Sequence, residues 1–332
     1  MDPRVPALQS RSAVTAIGSY VPQRRLTNEE LSALVDTNDE WIVRRTGIRE
    51  RRIAADDEYT SDLAIAAVRD LLRRYPTATD DIDGVLVATT TPDNPFPSVA
   101  SRVQAAFGFK AALAFDLNAA CAGFVSALQT ANGLILSGMY RKILVIGAET
   151  LSKITDYTDR STCILFGDGA GAVLVELAEQ GRMLASHAVT DGGGGIHVYA
   201  SGLSREWNGQ HLAGDGRIVQ NGREVYKWAL STVPDGVRSL LNDAGLAAES
   251  LDWLVPHSAN LRMIEAICER LGLPYERALT SAAEYGNTSA ASIPLALDLA
   301  VRDGRLAAGQ TVALYGFGSG LTQAGLLLRW GV

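Results

Sequence analysis

The chain has 332 residues, of which 47% are hydrophobic and 20% are charged, and its formal net charge is −7. This length and apolar content allow a large buried core and exclude an intrinsically disordered protein. The acidic balance argues against nucleic acid as the main partner, because phosphate binding requires clustered lysine and arginine. A membrane-spanning helix requires about 18 consecutive apolar residues, and no apolar run in the sequence approaches that length. Residues 1–11 do not resemble a signal peptide. We therefore expect a globular protein that binds neither nucleic acid nor membranes.

The cysteines are too few and too widely spaced to form a disulfide framework or a zinc site. They are Cys121, Cys163 and Cys268, and none belongs to a CxxC motif. Free thiols favour a reducing compartment, so we expect the protein to be cytoplasmic. Cys163 lies in an apolar run and Cys268 in a predicted helix, and both are expected to be core residues. The sequence predicts no metal site.

Helical and strand patterns alternate along the chain, which is typical of an α/β fold whose sheets are covered on both faces. Apolar runs predict strands over Gly84–Thr89, Ala112–Leu117, Ile143–Ile146, Thr162–Phe166, Gly171–Val175, Leu251–Val255 and Thr311–Tyr315. Periodicity predicts helices over Ser61–Arg74, Phe124–Leu136 and Leu261–Leu271. The glycine-rich segments Gly167–Gly171 and Gly316–Gly320 are predicted to connect strands, because a dinucleotide-binding loop requires a helix to follow.

The two halves of the chain repeat one pattern at a spacing of about 170 residues. The strand Ile143–Ile146, which ends at Gly147, resembles the strand Thr311–Tyr315, which ends at Gly316. Duplication of an α/β unit is the simplest interpretation. The boundary is placed near residues 176–182, which gives one half over residues 1–176 and another over residues 177–332. A site is expected at the seam between the halves, at strand and helix ends.

Cys121 is the first candidate for chemistry, because it lies between an apolar strand and an apolar helix. Its neighbours Ala119, Ala120, Ala122 and Gly123 are small and leave room for a substrate to approach. The amide groups and the dipole at a helix start favour thiolate, which is the nucleophilic form of cysteine. The alternative is that Cys121 is a small buried hydrophobic residue.

His257 and Asn287 are the other two candidates. His257 follows a buried strand, at the end of the sheet where open α/β folds bind ligands, although a turn or capping histidine is the alternative. Asn287 precedes a helix rich in small residues, where a helix cap is the ordinary interpretation of asparagine. The duplication places Asn287 before its helix much as Cys121 precedes its own. The three side chains are therefore expected to converge at the seam.

Several motifs, taken together and in this order, resemble the β-ketoacyl-acyl-carrier-protein synthase III family. They are Asp39–Val43 with Arg45–Ile48, Ala120–Phe124, Thr158–Arg160, Phe166–Gly171, Val255–Asn260 and Gly286–Ser289. The resemblance extends from Ile17 to Trp330. It implies a thiolase-like fold, in which duplicated α/β halves are layered α-β-α-β-α.

The resemblance implies an acyltransferase that performs the initiating condensation of fatty-acid synthesis. Acyl-CoA and malonyl-acyl carrier protein would give 3-ketoacyl-acyl carrier protein, CO2 and CoA, and no cofactor is implied because acyl-CoA is a substrate. Cys121 would attack the acyl-CoA thioester, and His257 and Asn287 would hydrogen-bond the enolate oxygen formed by decarboxylation. A second oxyanion site would use the backbone N–H groups of Cys121 and Ser319. Ser319 stands where the family usually has the middle glycine of three.

The resemblance also implies residues that bind ligands and partners. Those matched to CoA contacts are Trp41, Arg45, Thr46, Arg160, Gly222 and Asn260. Trp41 and Arg160 would hold the adenine between an aromatic and a guanidinium plane. Arg262 would receive the acidic carrier protein. The candidates for shaping the acyl pocket are Leu151, Phe166, Ser319 and Phe96, the last reaching across a homodimer.

The same residues bear on four alternative functions. A thiolase needs a second cysteine in the C-terminal loop, and none follows Cys268. An elongating ketosynthase would have histidine where Asn287 stands. A specialised enzyme that primes polyketide or other secondary-metabolite assembly keeps all three candidate residues and stays open. A non-catalytic protein that binds acyl-CoA or carrier protein is disfavoured by their retention. The length and branching of the acyl primer also stay open.

Overall fold

The protein is built from short strands and helices that alternate along the chain. The computed structural model describes residues 8–76, 81–110 and 112–332. Its strands are β1 Ser12–Tyr20, β2 Arg24–Thr27, β3 Glu50–Ile53, β4 Gly84–Ala88, β5 Leu113–Leu117, β6 Lys142–Thr150, β7 Asp168–Leu177, β8 Met183–Thr190, β9 Val198–Ala200, β10 Glu206–Trp207, β11 Gln210–His211, β12 Ile218–Gln220, β13 Trp253–Pro256, β14 Thr311–Gly318 and β15 Thr322–Arg329. Its α-helices are α1 Asn28–Ser32, α2 Asp39–Thr46, α3 Thr60–Arg74, α4 Val99–Phe107, α5 Gly123–Leu136, α6 Gly222–Asp243, α7 Leu261–Leu271, α8 Ala282–Tyr285 and α9 Ser292–Arg302.

Two mixed sheets form the framework. In the first sheet the strand order is β1-β7-β6-β4-β5, and β4 lies parallel to β5 and β6. In the second sheet the order is β13-β14-β15-β8, and β13 lies parallel to β14. The first sheet takes its strands from residues 12–177 and the second from residues 183–329. The chain passes from one sheet to the other through residues 178–182.

The two sheets repeat one strand register. Gly84 pairs with Ile143 where β4 meets β6, and Trp253 pairs with Val312 where β13 meets β14. Both residues of the second pair lie 169 positions after those of the first pair. Residues 169 positions apart in this part of the chain are therefore structural counterparts in the two halves.

Helices cover both sheets and also separate them. α3 and α4 pack on the outer face of the first sheet, while α6 packs on the outer face of the second and α7 packs against α6. α5 and α9 contact strands of both sheets and lie between them. This order confirms the expected α-β-α-β-α layering. Within the described residues, no helix combines the length and apolarity needed to cross a membrane.

Local capping signals fix the ends of the two helices that carry several candidate residues. α7 begins after Asn260, whose Oδ1 accepts a hydrogen bond from the Arg262 N–H at 2.9 Å, and it ends at Gly272 with φ 71°. α2 begins after Asn38, whose side chain accepts from a backbone N–H, and it ends at Gly47 with φ 77°. Asparagine caps and left-handed glycine stops are strong local signals, so these ends are set by sequence.

The predictions of α3, α5 and α7 are confirmed to within one residue at each end, but the predicted strand Thr162–Phe166 is wrong. That segment forms turns around Asp159, whose backbone oxygen accepts from the Cys163 N–H at 3.0 Å and whose Oδ2 accepts from the Thr162 hydroxyl at 2.7 Å. Phe166 alone makes a bridge, to Asn287. The segment is apolar because it is buried, and a short buried run has no periodicity that distinguishes a strand from turns.

The two glycine-rich segments also differ from their predicted role as connections. Residues 168–171 lie within β7 and residues 316–318 within β14. A Cβ on Gly171 would stand 2.6 Å from the Pro294 Cβ, and a Cβ on Gly316 would stand 2.6 Å from the Ala122 Cα. These glycines are needed for close approach of helices to the strands. The turn before β15 is made by Ser319–Leu321.

Candidate active site

Cys121 lies in a strained turn between β5 and α5. The preceding Ala120 has φ 47°, and the short 3-10 helix Ala120–Ala122 leads into α5 at Gly123. Left-handed backbone at a residue other than glycine costs about 1–2 kcal/mol and is concentrated at functional sites. The turn therefore marks this cysteine, whereas Cys163 and Cys268 are buried in the apolar core.

The second half contains the same turn at the counterpart position. Ser289 has φ 46° and begins the 3-10 helix Ser289–Ala291, which leads into α9. In both turns an asparagine two residues earlier caps the strained residue: Asn118 Oδ1 accepts from the Ala120 N–H at 3.2 Å, and Asn287 Oδ1 accepts from the Ser289 N–H at 2.9 Å. The two turns pack against each other at the seam. Ala290 is thus the counterpart of Cys121.

Asn287 is held rigidly with its amide group oriented. Its side chain is 6% exposed, its backbone N–H donates to Leu165 O at 2.8 Å, and its backbone oxygen accepts from the Gly167 N–H at 3.0 Å. Because the side-chain oxygen already accepts from Ser289, the NH2 end remains as the hydrogen-bond donor. The structure therefore presents Asn287 as a donor at the seam.

His257 directly follows β13 and is 1% exposed. Burial lowers its pKa from 6.5 to about 3, so the imidazole is neutral at physiological pH. Its Nδ1 lies 2.7 Å from the Ser292 hydroxyl, and its ring meets the Phe317 ring edge-to-face at 5.5 Å. The Ser292 hydroxyl has one proton and two acceptors within reach, His257 Nδ1 and the Ser289 backbone oxygen at 2.8 Å. Donation to Nδ1 corresponds to the tautomer whose proton is on Nε2, and in that tautomer Nε2 is a donor.

Cys121 is half-buried, and its thiol lies against the end of a strand of the other half. Burial raises its pKa to about 12, which outweighs the helix-start effect expected from sequence, so the free protein holds a thiol and not a thiolate. A Cβ on Gly318 would stand 2.8 Å from the Cys121 Cβ and 2.9 Å from its Sγ. The end of β14 therefore lies directly against the sulfur.

The Ser289 turn links the candidate side chains. The Ser289 N–H donates to Asn287 Oδ1 at 2.9 Å, and its backbone oxygen accepts at 2.8 Å from the Ser292 hydroxyl, which lies 2.7 Å from His257 Nδ1. The turn that carries Cys121 packs against the Ser289 turn. A nucleophile beside two neutral N–H donors is suited to acyl transfer through a covalent intermediate and to stabilising an oxyanion. Sequence reasoning missed Ser289, although its position as the counterpart of Ala120 could have revealed it.

Ser319 follows β14 in the turn beside the sulfur. It is half-buried, and its hydroxyl donates to Val198 O at 2.5 Å. Gly318 lies against the Cys121 side chain, and Ser319 is the next residue along the chain. The backbone of Ser319 therefore begins close to the nucleophile. The Ser319 side chain, at the position where the resemblance leads us to expect glycine, is thus held in place by β9.

The candidate CoA residues form two contact groups near α2. The Arg160 guanidinium lies 5.2 Å from the centre of the Trp41 ring, and its Nη1 donates to Asp36 O at 2.9 Å. The Asn260 amide donates to Arg45 O at 3.4 Å, which links the start of α7 to the end of α2. The structure thus brings each pair together.

Three other residues that the resemblance singled out are placed differently. Thr46 is buried, and its hydroxyl donates to Ile42 O at 2.7 Å within α2. Gly222 is the first residue of α6 and is exposed. Arg262 ion-pairs with Glu265 at 2.6 Å. Thr46 is therefore a structural residue of the α2 end in this conformation.

The candidate acyl-pocket residues separate into buried and exposed positions. Leu151 is 3% exposed and begins the 3-10 helix after β6, and Phe166 is 6% exposed and bridges to Asn287. Phe96 is 85% exposed in the segment before α4. It is therefore not part of the buried site of its own chain.

Comparisons with known proteins agree on one family. The sequence models described as 3-oxoacyl-[acyl-carrier-protein (ACP)] synthase III and its C-terminal part match residues 115–192 and 241–330. A β-ketoacyl-[acyl-carrier-protein] synthase III 2 of Bacillus subtilis is 59% identical over 97% of this chain and 100% of its own.

Solved structures extend the similarity to the fold. A synthase III from Thermus thermophilus has TM-score 0.93 and 48% identity, covering 96% of this chain and 99% of its own. A priming β-ketosynthase from the R1128 polyketide biosynthetic pathway has TM-score 0.90 and 37% identity, covering 99% of each chain. These similarities confirm the expected thiolase-like fold.

Proposed function

This chain belongs to the 3-oxoacyl-[acyl-carrier-protein] synthase III family, and on that premise we propose that it condenses an acyl-CoA primer with malonyl-acyl carrier protein to start fatty-acid synthesis. The products are 3-ketoacyl-acyl carrier protein, CO2 and CoA. The observation that carries the proposal is the packing of the Cys121 turn against the Ser289 turn, whose hydrogen bonds through Ser289 and Ser292 link Asn287 to His257 at the seam of the two halves.

In the first step the Cys121 sulfur attacks the thioester carbonyl of acyl-CoA. A bond forms between the sulfur and the acyl carbon, the bond to the CoA sulfur breaks, and the thiol proton ends on the departing CoA. The backbone N–H groups of Cys121 and Ser319 stabilise the oxyanion of the tetrahedral intermediate. The contact between Gly318 and the sulfur supports this role, because it brings the following N–H close to the reacting carbon.

In the second step malonyl-carrier protein loses CO2 and becomes an enolate. The His257 and Asn287 N–H groups donate to the enolate oxygen, the enolate carbon attacks the acyl group, and Cys121 leaves as thiolate and then takes a proton from solvent. Neutral donors in a buried pocket stabilise developing negative charge strongly. The low pKa of His257, about 3, keeps it in the neutral donor form.

The ligands reach the site from the α2 and α7 side. We assign the CoA adenine to a position between the Trp41 ring and the Arg160 guanidinium, which would move apart to admit it. We assign the pantetheine chain of CoA to the surface that includes Arg45, Asn260 and Gly222. Arg262 is assigned to the acidic carrier protein, which would compete with Glu265 for the guanidinium. Thr46 would act by supporting the end of α2.

We further assign Phe96 to a homodimer interface in a cytoplasmic enzyme. A phenylalanine that is 85% exposed is unusual on a monomer surface, and a partner subunit would bury it beside the acyl group, near Leu151 and Phe166 of the other chain. All cysteines of the chain are free, which fits a reducing compartment. Sedimentation of the parent and of Phe96→Asp tests the dimer, since a charged side chain at a buried position should release monomers.

Intact-protein mass spectrometry tests the first step. The protein is incubated separately with acetyl-, butyryl- and isobutyryl-CoA, and one acyl group is expected on the parent but none on Cys121→Ala. The absence of an adduct from the parent with every primer would instead favour a protein that only binds acyl-CoA.

A priming role in polyketide assembly is the second candidate, because the R1128 ketosynthase structure is similar over the whole chain. Condensation assays with malonyl groups on a fatty-acid carrier protein and on a polyketide carrier protein separate the two roles. A rate at least about tenfold higher with the fatty-acid carrier, or about 1.4 kcal/mol, supports fatty-acid initiation.

A further inference from the structure

Arg51 of β3 is a buried cation that the proposed steps do not use. It is 0% exposed, and burial lowers its pKa to about 10, so it is still charged at physiological pH. Among residues 8–76, 81–110 and 112–332, no ion pair includes it. A buried cation without a carboxylate partner is costly unless other oxygens replace the water that it loses. The groups that replace this water show what Arg51 holds in place.

The Arg51 guanidinium donates in two directions. On one side Nη1 donates to Leu26 O at 3.1 Å and to Asn28 Oδ1 at 2.9 Å. On the other side Nη2 donates to Ile164 O at 2.7 Å, across 113 positions of the chain. The planar guanidinium suits such a bridge, because its N–H groups point in fixed directions. Arg51 thus connects Ile164 to β2 and to the start of α1.

Ile164 belongs to the series of turns that holds Asn287. Since these turns are not part of a sheet, no strand ladder fixes them. The Asn287 N–H donates to Leu165 O at 2.8 Å, and the Asn287 backbone oxygen accepts from the Gly167 N–H at 3.0 Å. Leu165 directly follows Ile164, whose oxygen accepts from Arg51. The position of the Asn287 backbone therefore depends on a segment to which Arg51 is hydrogen-bonded.

The aliphatic part of Arg51 lies close to two glycines beside the same contact. A Cβ on Gly167 would stand 3.1 Å from the Arg51 Cβ, and a Cβ on Gly286 would stand 2.9 Å from it. Gly286 directly precedes Asn287 and has φ 71°, a left-handed conformation that favours glycine. Arg51 therefore approaches the Asn287 segment with its Cβ as well as with its guanidinium.

We propose that Arg51 is a positioning residue for Asn287 in the second chemical step, an inference that rests on the proposed synthase function. By holding Ile164, Arg51 keeps the turns beside Asn287 in one place, and with them the amide that donates to the enolate oxygen. Such a donor is effective only when it is oriented before the charge develops. Acylation does not use the Asn287 amide, since backbone N–H groups are assigned to that step. Loss of Arg51 should therefore slow condensation and spare acylation.

The test measures the two steps separately, by intact mass of the protein after acid quenching. Acylation is followed with a saturating concentration of the fastest of the three acyl-CoA primers. The acylated protein is then freed of CoA and mixed with saturating malonyl-acyl carrier protein, and condensation is followed as loss of the acyl group beyond the loss in buffer alone. Arg51→Met replaces the guanidinium by a neutral, unbranched side chain. It should condense at least about tenfold more slowly than the parent and acylate within about threefold of the parent rate.

Asn28→Ala is the matched control for a loss of stability. Asn28 is 2% exposed, and its Nδ2 donates to Asp39 Oδ1 at 2.8 Å and to Ile48 O at 2.9 Å. The variant also removes one acceptor from Arg51 but leaves the hydrogen bond to Ile164 O. It should be less stable in urea than the parent, as Arg51→Met should be, yet condense within about threefold of the parent rate.

A double variant tests whether Arg51 acts through Asn287. When Asn287→Ala has removed the donor, its position no longer matters, so adding Arg51→Met should slow condensation by no more than about threefold further. Independent roles would instead multiply the two losses. If Arg51→Met does not fold, as judged by circular dichroism, Arg51→Gln decides by the same comparisons, because its shorter neutral side chain cannot span the bridge.

Four results would overturn the proposal. One is condensation at the parent rate in the Arg51 variant, and another is equal slowing of acylation and condensation, which would indicate a general defect. The others are an equal loss of condensation in Asn28→Ala and multiplied losses in the double variant. Failure of the parent to acylate, or of the acylated parent to condense, would refute the proposed synthase function instead.

Discussion

At the scale of single residues, burial governs the chemistry of the site more than local sequence does. His257 and Cys121 are both shifted towards their neutral forms, with pKa values of about 3 and about 12. Desolvation is the largest cause of each shift. The free protein thus stores a thiol, an imidazole and an amide without net charge. Acylation therefore requires the sulfur to lose its proton as it attacks the thioester.

We predict that decarboxylation of malonyl-carrier protein by acylated protein has no step near pH 6.5. The His257 pKa of about 3 keeps the donor form throughout pH 5 to 8. Because this pKa lies below the unfolded value of 6.5, unfolding takes up a proton between those limits. Stability should fall as pH decreases from about 6.5, by up to about 1.4 kcal/mol per pH unit from this group.

The pH profile of CO2 release and the free energy of unfolding in urea measure both effects. His257→Ala is the control for stability, since it should have the shallower dependence on pH below 6.5. A loss of decarboxylation with an apparent pKa near 6.5 would contradict the assignment of a neutral donor.

At the scale of secondary structure, strand and helix ends place the reactive groups. The turn that carries Cys121 lies between α5 and β14. Gly316 and Gly318 allow β14 to approach this turn closely, because neither residue has a side chain. Periodicity predicted α5 correctly because its apolar pattern and boundaries are local. It did not predict that the two glycines belong to a strand, since their importance depends on a turn about 195 residues earlier in the chain that only tertiary packing brings near.

We predict that Gly318→Ala impairs acylation of Cys121 by at least about tenfold while the protein stays folded. The added Cβ would stand 2.8 Å from the Cys121 Cβ, so the cysteine turn must shift. The φ of Gly318 is 176°, which alanine can adopt, so the effect is steric. Acyl transfer measured by mass, together with circular dichroism, checks both parts.

Gly133→Ala provides the matched glycine control on α5. A Cβ there meets nothing within 4 Å, and alanine in a helix interior should raise the free energy of unfolding by about 0.5–1 kcal/mol. Unchanged acylation in Gly318→Ala would show that the strand end does not constrain the sulfur.

At the scale of the whole molecule, a charged cluster ties the two halves together across the seam. Asp298 of α9 is fully buried and accepts from Ser19 at 2.5 Å, from Arg302 at 2.7 Å and from Arg74. Ser19 and Arg74 belong to the first half, whereas Arg302 lies on α9 itself. The site at the seam requires the halves to keep one relative position. This cluster is therefore a structural support of the site.

We predict that Asp298→Ala lowers the free energy of unfolding by about 1.5–3 kcal/mol, because it removes a buried carboxylate that accepts from Ser19, Arg74 and Arg302, while both arginines keep their contact with Asp70. Asp303→Ala is the matched control on the same segment. Its pair with Arg305 is exposed, at 55% and 46%, and should contribute at most about 1 kcal/mol. Urea unfolding of both variants measures the difference, and equal losses would contradict the importance of the cluster.

The sequence by itself determined the alternation of helices and strands, the duplication, the family resemblance and the three candidate residues Cys121, His257 and Asn287. Each of these depends on local pattern, residue type or order along the chain. Capping and periodicity act over a few residues, so α3, α5 and α7 could be predicted closely. Specific motifs such as the small residues around Cys121 likewise carry their information locally.

Only the tertiary structure decided which groups of the site are ionised and which residues are in contact. The turns that carry Cys121 and Ser289 lie far apart in the chain, and their contact arises from the packing of one half against the other. The pKa shifts of the site follow from loss of solvent, which is a property of the assembled core. The segment Thr162–Phe166 illustrates the same limit, because burial made a series of turns look like a strand.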